Sequence, residues 1–524
     1  MTHPSSEWQP ELDEMAQRRA GAAAHGGEEA VARLRAAGKR TAREHLLAIA
    51  DPGSFRELGM LAGKGRYGAQ GQLESFTPSN HVMGLAHLNG RRTVVIADDS
   101  SIRGGSSEAA VSEKWIYADR YANEYKLPLV RFVDTAGGSV KLLQQMGHTK
   151  IPGYALLPSQ ALLGEVPVVG VAVGACAGLG ALRVATAHFT VMVRGQSQVF
   201  AAGPPVVKQA LGIDIDKEAL GGADVHRESG LVNNIANSQD DAFEMVRKFL
   251  SYMPANVWEQ PSRGATADDP HREEPWLNDA IPRNRRKTFA PLPILKAIFD
   301  TDSVFEISPQ YGRSTVTALA RLHGYPVGVI TNNPAIMGGA LTAAAARKLE
   351  RFVDMCDTFH LPIVNLPDQP GTMTGPNAER EGTMIATLKA SAAIEQSTVP
   401  WISVVLRRTF GLAGSMLGPW VGPSGTALPH RFGWPSARWG SIPIEGGVAA
   451  AFKREIEASD DPQKTRDELE ASFAPLGSPY RTAERFGVVD IIEPAQTRSL
   501  LCDWVGDAYR KTQRNLGPKL RPMR

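Results

Sequence analysis

The sequence predicts an α/β fold built twice along one chain. Three observations predict it. Short runs of β-branched and small apolar residues alternate with Ala-, Glu- and Arg-rich helical stretches. Paired motifs recur 233–234 residues apart. A polar, Pro-rich stretch separates the two sets. The length of 524 residues also exceeds one compact core and calls for two domains.

Taken in order, residues 11–50 read as helix. "EEAVARLRAAGKRTAREHLLAIA" is rich in helix formers, with Val31, Leu34, Leu46 and Leu47 at helical spacing. "DPGSF" (51–55) stops it. "RTVVIADD" (92–99) and "LPLVRFVD" (127–134) read as strands, with helical "SSEAAVSEKWIYADRYANEY" between them. "VPVVGVAV" (166–173) and "FTVMVRG" (189–195) are further strands. Domains are expected over 1–260 and 291–524, joined by a linker over 261–290.

The second half repeats the first. Gly90 corresponds to Gly324, Gly104-Gly105 to Gly338-Gly339, and "LPLV" at 127 to "LPIV" at 361, each 234 residues apart. "GLGA" at 178 falls opposite "GLAG" at 411, a spacing of 233. "GLVNNI" (230–235) resembles "GVVDII" (487–492). Such a series marks two copies of one α/β domain.

Composition narrows the function classes. A net charge of +2 gives no reason to expect nucleic acid or a membrane surface. The opening "MTHPSSEWQPELDEM" is polar and acidic, unlike a secretory leader, and the Gly-rich apolar run at 166–182 reads as buried strand and turn. Cys176, Cys356 and Cys502 are far apart and form no metal knuckle. A reducing cytoplasm and no metal are expected.

The chemistry is expected at the two small-residue turns, "GACAGLGA" (174–181) and "FGLAGS" (410–415). A strand, a Gly-rich turn and a helix present free N–H groups and the positive end of the helix, the geometry of an oxyanion hole. The alternative is close helix–strand packing through small residues. Asp98, Asp99 and Asp134 at strand ends could be ligands, bases or helix caps, and His188 a packed histidine. The basic segment 33–45, with Arg33, Arg35, Lys39, Arg40 and Arg43, either holds phosphates or is a solvated helix face. "RNRRK" (283–287) reads as solvated. No G-x-S-x-G elbow, H-E-x-x-H or P-loop is present.

At these motifs the chain resembles, over nearly its full length, the carboxyltransferase (beta) subunits of biotin-dependent acyl-CoA carboxylases, of the propionyl-CoA and methylcrotonyl-CoA types. "GKRTAREHLLAIADPGSF", "GGSSEA" (104–109) and "VFAAGPPVVKQALGIDIDKEALGGADVHRESG" (199–230) are similar to family segments. So are "HGYPVGVITNNP", "DQPGTMTG", "WPSAR" and "SPYRTAERFGVVDIIEP". The resemblance implies two tandem crotonase-like (ClpP/crotonase superfamily) β-β-α superhelix domains. Acyl-CoA is the implied substrate of the first domain, and carboxybiotin enters on the second domain of a partner subunit. The resemblance implies that carboxybiotin releases CO2, that the resulting biotin ureido anion takes the α-proton of the thioester, and that the enolate attacks the CO2.

Carried over residue by residue, the resemblance implies that the N–H groups of Gly178 and Leu179 hold the thioester oxygen. Those of Leu412 and Ala413 hold the biotin ureido oxygen. Arg40, Arg43, Gly104, Gly105, Ser106 and Glu108 are implied CoA contacts, and Gly371, Gly411 and Ser415 lie on the biotin side. The family usually has Gly at Leu179 and often at Leu412, and the propionyl type has Asp at Ser415. Its R-H-G-A-K is replaced near "IATLKAS" (385–391). Leucine resists φ > 0 and adds bulk. These departures imply a distorted hole if either leucine needs a left-handed backbone, and an unusual acyl-CoA, an unusual acceptor or altered chemistry.

The sequence carries no A-M-K-M-like biotin-attachment segment, no recognisable ATP-grasp domain, and no C-x-x-C pairs like the zinc ribbon of the bacterial acetyl-CoA type. The implied partner is a biotin carboxylase/biotin carboxyl carrier (alpha) subunit, which alone uses ATP. The implied assembly is a homo-hexamer, a trimer of dimers. The alternative functions are a carboxyacyl-CoA decarboxylase or transcarboxylase on the same scaffold, a crotonase-fold enzyme without biotin chemistry, and a non-catalytic assembly partner.

Overall fold

The computed structural model describes residues 6–106, 111–149 and 157–521. The chain divides into two units, Met1–Ser251 and Tyr252–Arg524. The stretch 261–290, expected as a linker, is instead part of the second unit. Leu277 is buried with Ile298 and Val505 in that unit's core, and Gly264 N–H donates to the Gly324 carbonyl.

Three helices open the first unit: α1 (Gln9–Ala23), α2 (Glu28–Ala36) and α3 (Ala42–Ile49). The single helix expected over 11–50 is therefore cut twice, because Gly27 and Gly38 take φ of 92° and 69°. A capping box restarts the chain at α3: Glu44 N–H donates to Thr41 Oγ1, and Thr41 N–H to the Glu44 carboxylate.

The first unit's main sheet runs β1 (Arg56–Leu58), β2 (His81–Leu88), β3 (Arg91–Asp98), β4 (Leu129–Thr135), β5 (Val168–Ala177), β6 (Phe189–Val193) and β8 (Asn234–Ala236). The short strand β7 (Gln198–Phe200) pairs with the end of β5. The first two pairings are antiparallel and the rest parallel. Helix α4 (Ser112–Tyr125) crosses from β3 to β4, and α5 (Leu179–Ala185) from β5 to β6. Parallel strands need both faces covered. This accounts for the near-continuous apolar run of β5, buried along almost its whole length.

The second unit follows the same plan: β9 (Phe305–Ile307), β10 (Thr315–Leu322), β11 (Tyr325–Asn332), β12 (Ile363–Leu366), β13 (Trp401–Val405), β14 (Arg431–Gly433) and β15 (Asp490–Ile491). Again two antiparallel pairings precede the parallel ones. Helix α6 (Ala343–Thr358) follows β11, and one-turn α7 (Gly411–Gly414) follows the short strand Arg408–Phe410. Both hairpins are built alike. Asn89-Gly90 and His323-Gly324 all have positive φ, as a two-residue hairpin turn requires. Asp51 and Asp300 each accept both N–H groups of the turn facing them.

Candidate active site

In each unit the candidate groups gather at the C-terminal edge of the parallel strands, where open α/β sheets bind ligands. In the first unit β5 runs on to Ala177, so most of "GACAGLGA" is strand and helix rather than turn. The small residues there admit neighbouring side chains. A Cβ on Gly174 would lie 2.0 Å from Asp134 Cγ, and one on Gly180 would lie 2.2 Å from the Thr135 methyl. The packing alternative therefore accounts for these two glycines.

Gly178 alone makes the turn. Its φ and ψ are 54° and −110°, a region in which only glycine is unstrained. Its N–H donates to the Phe200 carbonyl at 3.1 Å. Gly178 therefore does not offer the free oxyanion donor expected of it. Leu179 is the first residue of α5, where an α-helix leaves its N–H groups without an intrahelical partner. The loop carrying Gly104 and Gly105 lies against β4: Ala136 N–H donates to Gly104 O, and a Cβ on Gly105 would meet Asp134 O at 2.4 Å. Ser106 is buried and its carbonyl accepts from Asn80 Nδ2. Glu108 lies outside the described residues.

In the second unit Gly411 turns the chain with φ 60°, and Leu412 and Ala413 follow in the first turn of α7. Neither Leu179 nor Leu412 has a positive φ. The distortion expected from the two leucines is absent, because the glycine before each takes the left-handed step. Gly371 (φ 133°) packs beside this turn, with the Phe410 carbonyl 3.7 Å from where its Cβ would be, and Phe410 N–H donates to Gln369 O. Ser415 closes α7, donating its hydroxyl to Leu412 O at 2.7 Å.

The basic segment separates into two roles. Arg43 donates from Nε and Nη2 to the two Glu57 oxygens at 2.8 and 2.9 Å, and from Nη1 to Ala22 O. It fastens α3 to β1 and α1, with all three of its nitrogens engaged inside the unit. Arg40 lies over the Phe243 ring and pairs with exposed Asp240. With Arg35, Lys39, Glu44, Leu47 and Ala48 it lines an open cleft of about 580 Å³. Lys39 reaches from this cleft to Asp134 Oδ2 at 3.1 Å, and Ser100 Oγ donates to the same oxygen.

Asp98 and Asp134 are ion-paired rather than capping, whereas Asp99 accepts from Ser101 N–H two residues on. Asp98, fully buried, accepts from Arg183 Nη1 at 2.8 and 3.0 Å and bonds His81 Nδ1 at 2.9 Å. Burial alone would raise this carboxyl, but Arg183 and then His81 outweigh it and hold it at about 2. Asp99 pairs with His25. His188 is a packed residue, with Nδ1 accepting from Val168 N–H and Nε2 bonding Leu163 O. In the second unit Asp368 occupies the place of Asp134 and accepts from both Arg407 and Arg408. Among the described residues no group of His, Cys, Asp or Glu could hold a metal, and no helix is long and apolar enough to cross a membrane. The three cysteines are free and buried.

Two parallel-sheet α/β units each set a positive-φ glycine before a leucine at the strand edge, an arrangement suited to an enzyme that stabilises a negatively charged oxygen. The chain belongs to the carboxyl transferase domain family, which matches residues 33–523. It is 31% identical over 500 residues to the propionyl-CoA carboxylase carboxyltransferase subunit of Haloferax mediterranei, covering 94% of each chain. It is 32% identical to the methylmalonyl-CoA decarboxylase subunit alpha of Veillonella parvula, covering 95% of each. The hexameric transcarboxylase 12S, solved with methylmalonyl-CoA bound, superposes with a TM-score of 0.85 at 29% identity over 97% of both chains.

Proposed function

We propose that the chain is the carboxyltransferase subunit of a biotin-dependent acyl-CoA carboxylase, built from two crotonase-like domains related by an internal repeat. The observation that carries this reading is the recurrence of one backbone device, positive-φ Gly178 before Leu179 and positive-φ Gly411 before Leu412, in a full-length family member. Each device points helical N–H groups at one place, which suits an oxygen gaining negative charge. The first unit is the acyl-CoA side and the second the carboxybiotin side. The enzyme works in the cytoplasm as a hexamer with a biotin-bearing, ATP-using partner.

Residues present in both units fit these ligands. Leu179 N–H is positioned for a thioester oxygen and remains available, whereas Gly178 N–H is engaged by Phe200. Leu412 and Ala413 N–H, with the Gly371 loop beside them, suit a ureido oxygen. Carboxybiotin, carried by the partner, supplies CO2 and the base. This chain's own part is to hold the enolate oxygen at Leu179 N–H and to anchor CoA phosphate through Arg40 and Lys39 at the cleft. The half-buried Leu179 side chain, packed against the core cluster that includes Trp115, shapes the acyl pocket.

The test is fixation of 14C-bicarbonate by the purified chain with its biotin-bearing partner, ATP and acyl-CoAs from acetyl to branched, unsaturated and aromatic. Acid-stable label on one acyl-CoA supports the reading and names the substrate. No label with an active partner and intact CoA binding contradicts it for those substrates. The decarboxylase similarity favours one second reading, tested by ATP-independent turnover of malonyl-type thioesters.

A further inference from the structure

The first unit holds a buried charged triad that the second replaces with neutral residues. Asp98, His81 and Arg183 correspond by spacing to Asn332, Thr315 and Met416. The frame around them is shared. His81 pairs in register with Asp98, and Thr315 with Asn332. Asp134 N–H donates to Asp98 Oδ2 at 3.3 Å, and Asp368 N–H to Asn332 Oδ1 at 3.1 Å. Only in the first unit does a charge extend from this frame into the helix behind the glycine turn.

We infer that Arg183 is a positioning residue for the first turn: by gripping Asp98 it fixes the short helix α5, and so the place where Leu179 N–H meets the substrate oxygen. The inference rests on the acyl-CoA reading above. Arg183 lies one turn beyond Leu179 on the same helix and is 4% exposed. Its Nη1 spans both Asp98 oxygens, and the Trp115 ring lies 5.4 Å from its guanidinium. From Asp98 the network continues through the Asp134 main chain to the Asp134 carboxylate and Lys39 at the basic cleft. One chain of contacts thus joins the expected nucleotide end of the site to its expected reacting end.

The arrangement is poorly suited to stability alone. Arg183 Nε and Nη2 are buried with no hydrogen-bond partner. Leaving such donors unpaired is unfavourable, and replacing a buried charge set by neutral residues is often harmless. The second unit carries such a neutral set within the same frame. A buried charged group left with unpaired donors in one unit, where the counterpart set leaves only the neutral Thr315 hydroxyl unpaired, points to a role in the reaction.

The test uses the assembly with its biotin-bearing partner. The double variant D98N/R183M gives the first unit the second unit's residues at two of the three positions, keeping His81. KM and kcat for the best acyl-CoA are measured, with the affinity for a nitroalkyl-CoA whose nitronate mimics an enolate. Positioning predicts a KM within about twofold of the parent, a kcat lower by about 10- to 100-fold and nitronate binding weaker by a similar factor. R183K, which keeps a cation on Asp98, should recover part of the lost kcat. Parental kcat in the double variant overturns the inference. So does equal weakening of acyl-CoA and nitronate, or failure of the double variant to fold, since either marks a structural role. Absence of fixation by the parent assembly contradicts the carboxylase reading itself, so the two failures are distinguishable.

Discussion

Gly178 and Gly411 share one backbone step: φ is 54° at the first and 60° at the second, and each directly precedes a leucine whose φ is negative. The relationship explains how a leucine can stand at each turn without strain. The left-handed residue is the one before it. A Cβ on Gly178 would lie 3.6 Å from Ala201 O, and one on Gly411 3.7 Å from Ser441 O, so there is room for a methyl group. The objection to a side chain is conformational. G178A and G411A should each lower the unfolding free energy by about 1–3 kcal/mol. Each should reduce carboxylation at least about tenfold, as a displaced donor does. Denaturant titration and bicarbonate fixation check both.

Gly174 responds to a different constraint. An added Cβ would fall 2.0 Å from Asp134 Cγ, so G174A must push Asp134 away from Lys39. The expected outcome is a loss of about 1–3 kcal/mol, as for other overpacked sites. KM for acyl-CoA should rise because Lys39 loses its anchor. Thermal unfolding and saturation kinetics measure the two effects separately.

The two arginines of the third helix should separate cleanly. R43A leaves Glu57 without its bidentate partner and should destabilise the chain by about 2 kcal/mol, with KM for acyl-CoA unchanged. R40A removes a cation lining the open cleft and should raise KM about tenfold with little loss of stability. An equal rise in KM for both would contradict the division of roles.

Two buried histidines should each contribute a loss of stability on mild acidification. Burial, and then the charge of Arg40, push the His45 imidazole down to about 4. An unfolded histidine titrates near 6.5, so between these values the unfolded chain binds the extra proton. Folding free energy is therefore lost as pH drops from about 6.5 to 4, by up to about 3 kcal/mol from this group. Buried His360, also pushed down to about 4, adds in the same direction. H45F keeps a ring beside Phe132 and should show a shallower decline in unfolding free energy over this range. Parallel curves for the parent and H45F would contradict the assignment.

Much of the architecture was legible because the two halves annotate one another. The spacing that pairs Gly104 with Gly338 also predicts a shared conformation, and both have positive φ, 64° and 65°. The strands at 92–99 and 127–134 correspond to β3 and β4, since buried parallel strands read as continuous apolar runs. What stayed hidden is tertiary. Arg43 looked like a phosphate ligand because its partner Glu57 lies on another element. The acceptor of Gly178 N–H is Phe200, on a strand beyond the next helix. Asp98 and Arg183 are 85 residues apart. A signal was present for Asp134: it stands 234 residues before Asp368, so two carboxylates occupy the same strand end.

The central claim is that the two leucine turns serve two different oxygens. Proline at the start of a helix removes one N–H and is tolerated there, so L179P and L412P delete a donor with limited disturbance. The most direct measurement follows both variants in two reactions: acyl-CoA carboxylation, and release of CO2 from the carboxylated partner without acyl-CoA. The account predicts that L179P loses about 100-fold in carboxylation while CO2 release stays near the parent rate, and that L412P loses both. Unchanged carboxylation in L179P, or CO2 release lost equally in the two variants, would contradict it.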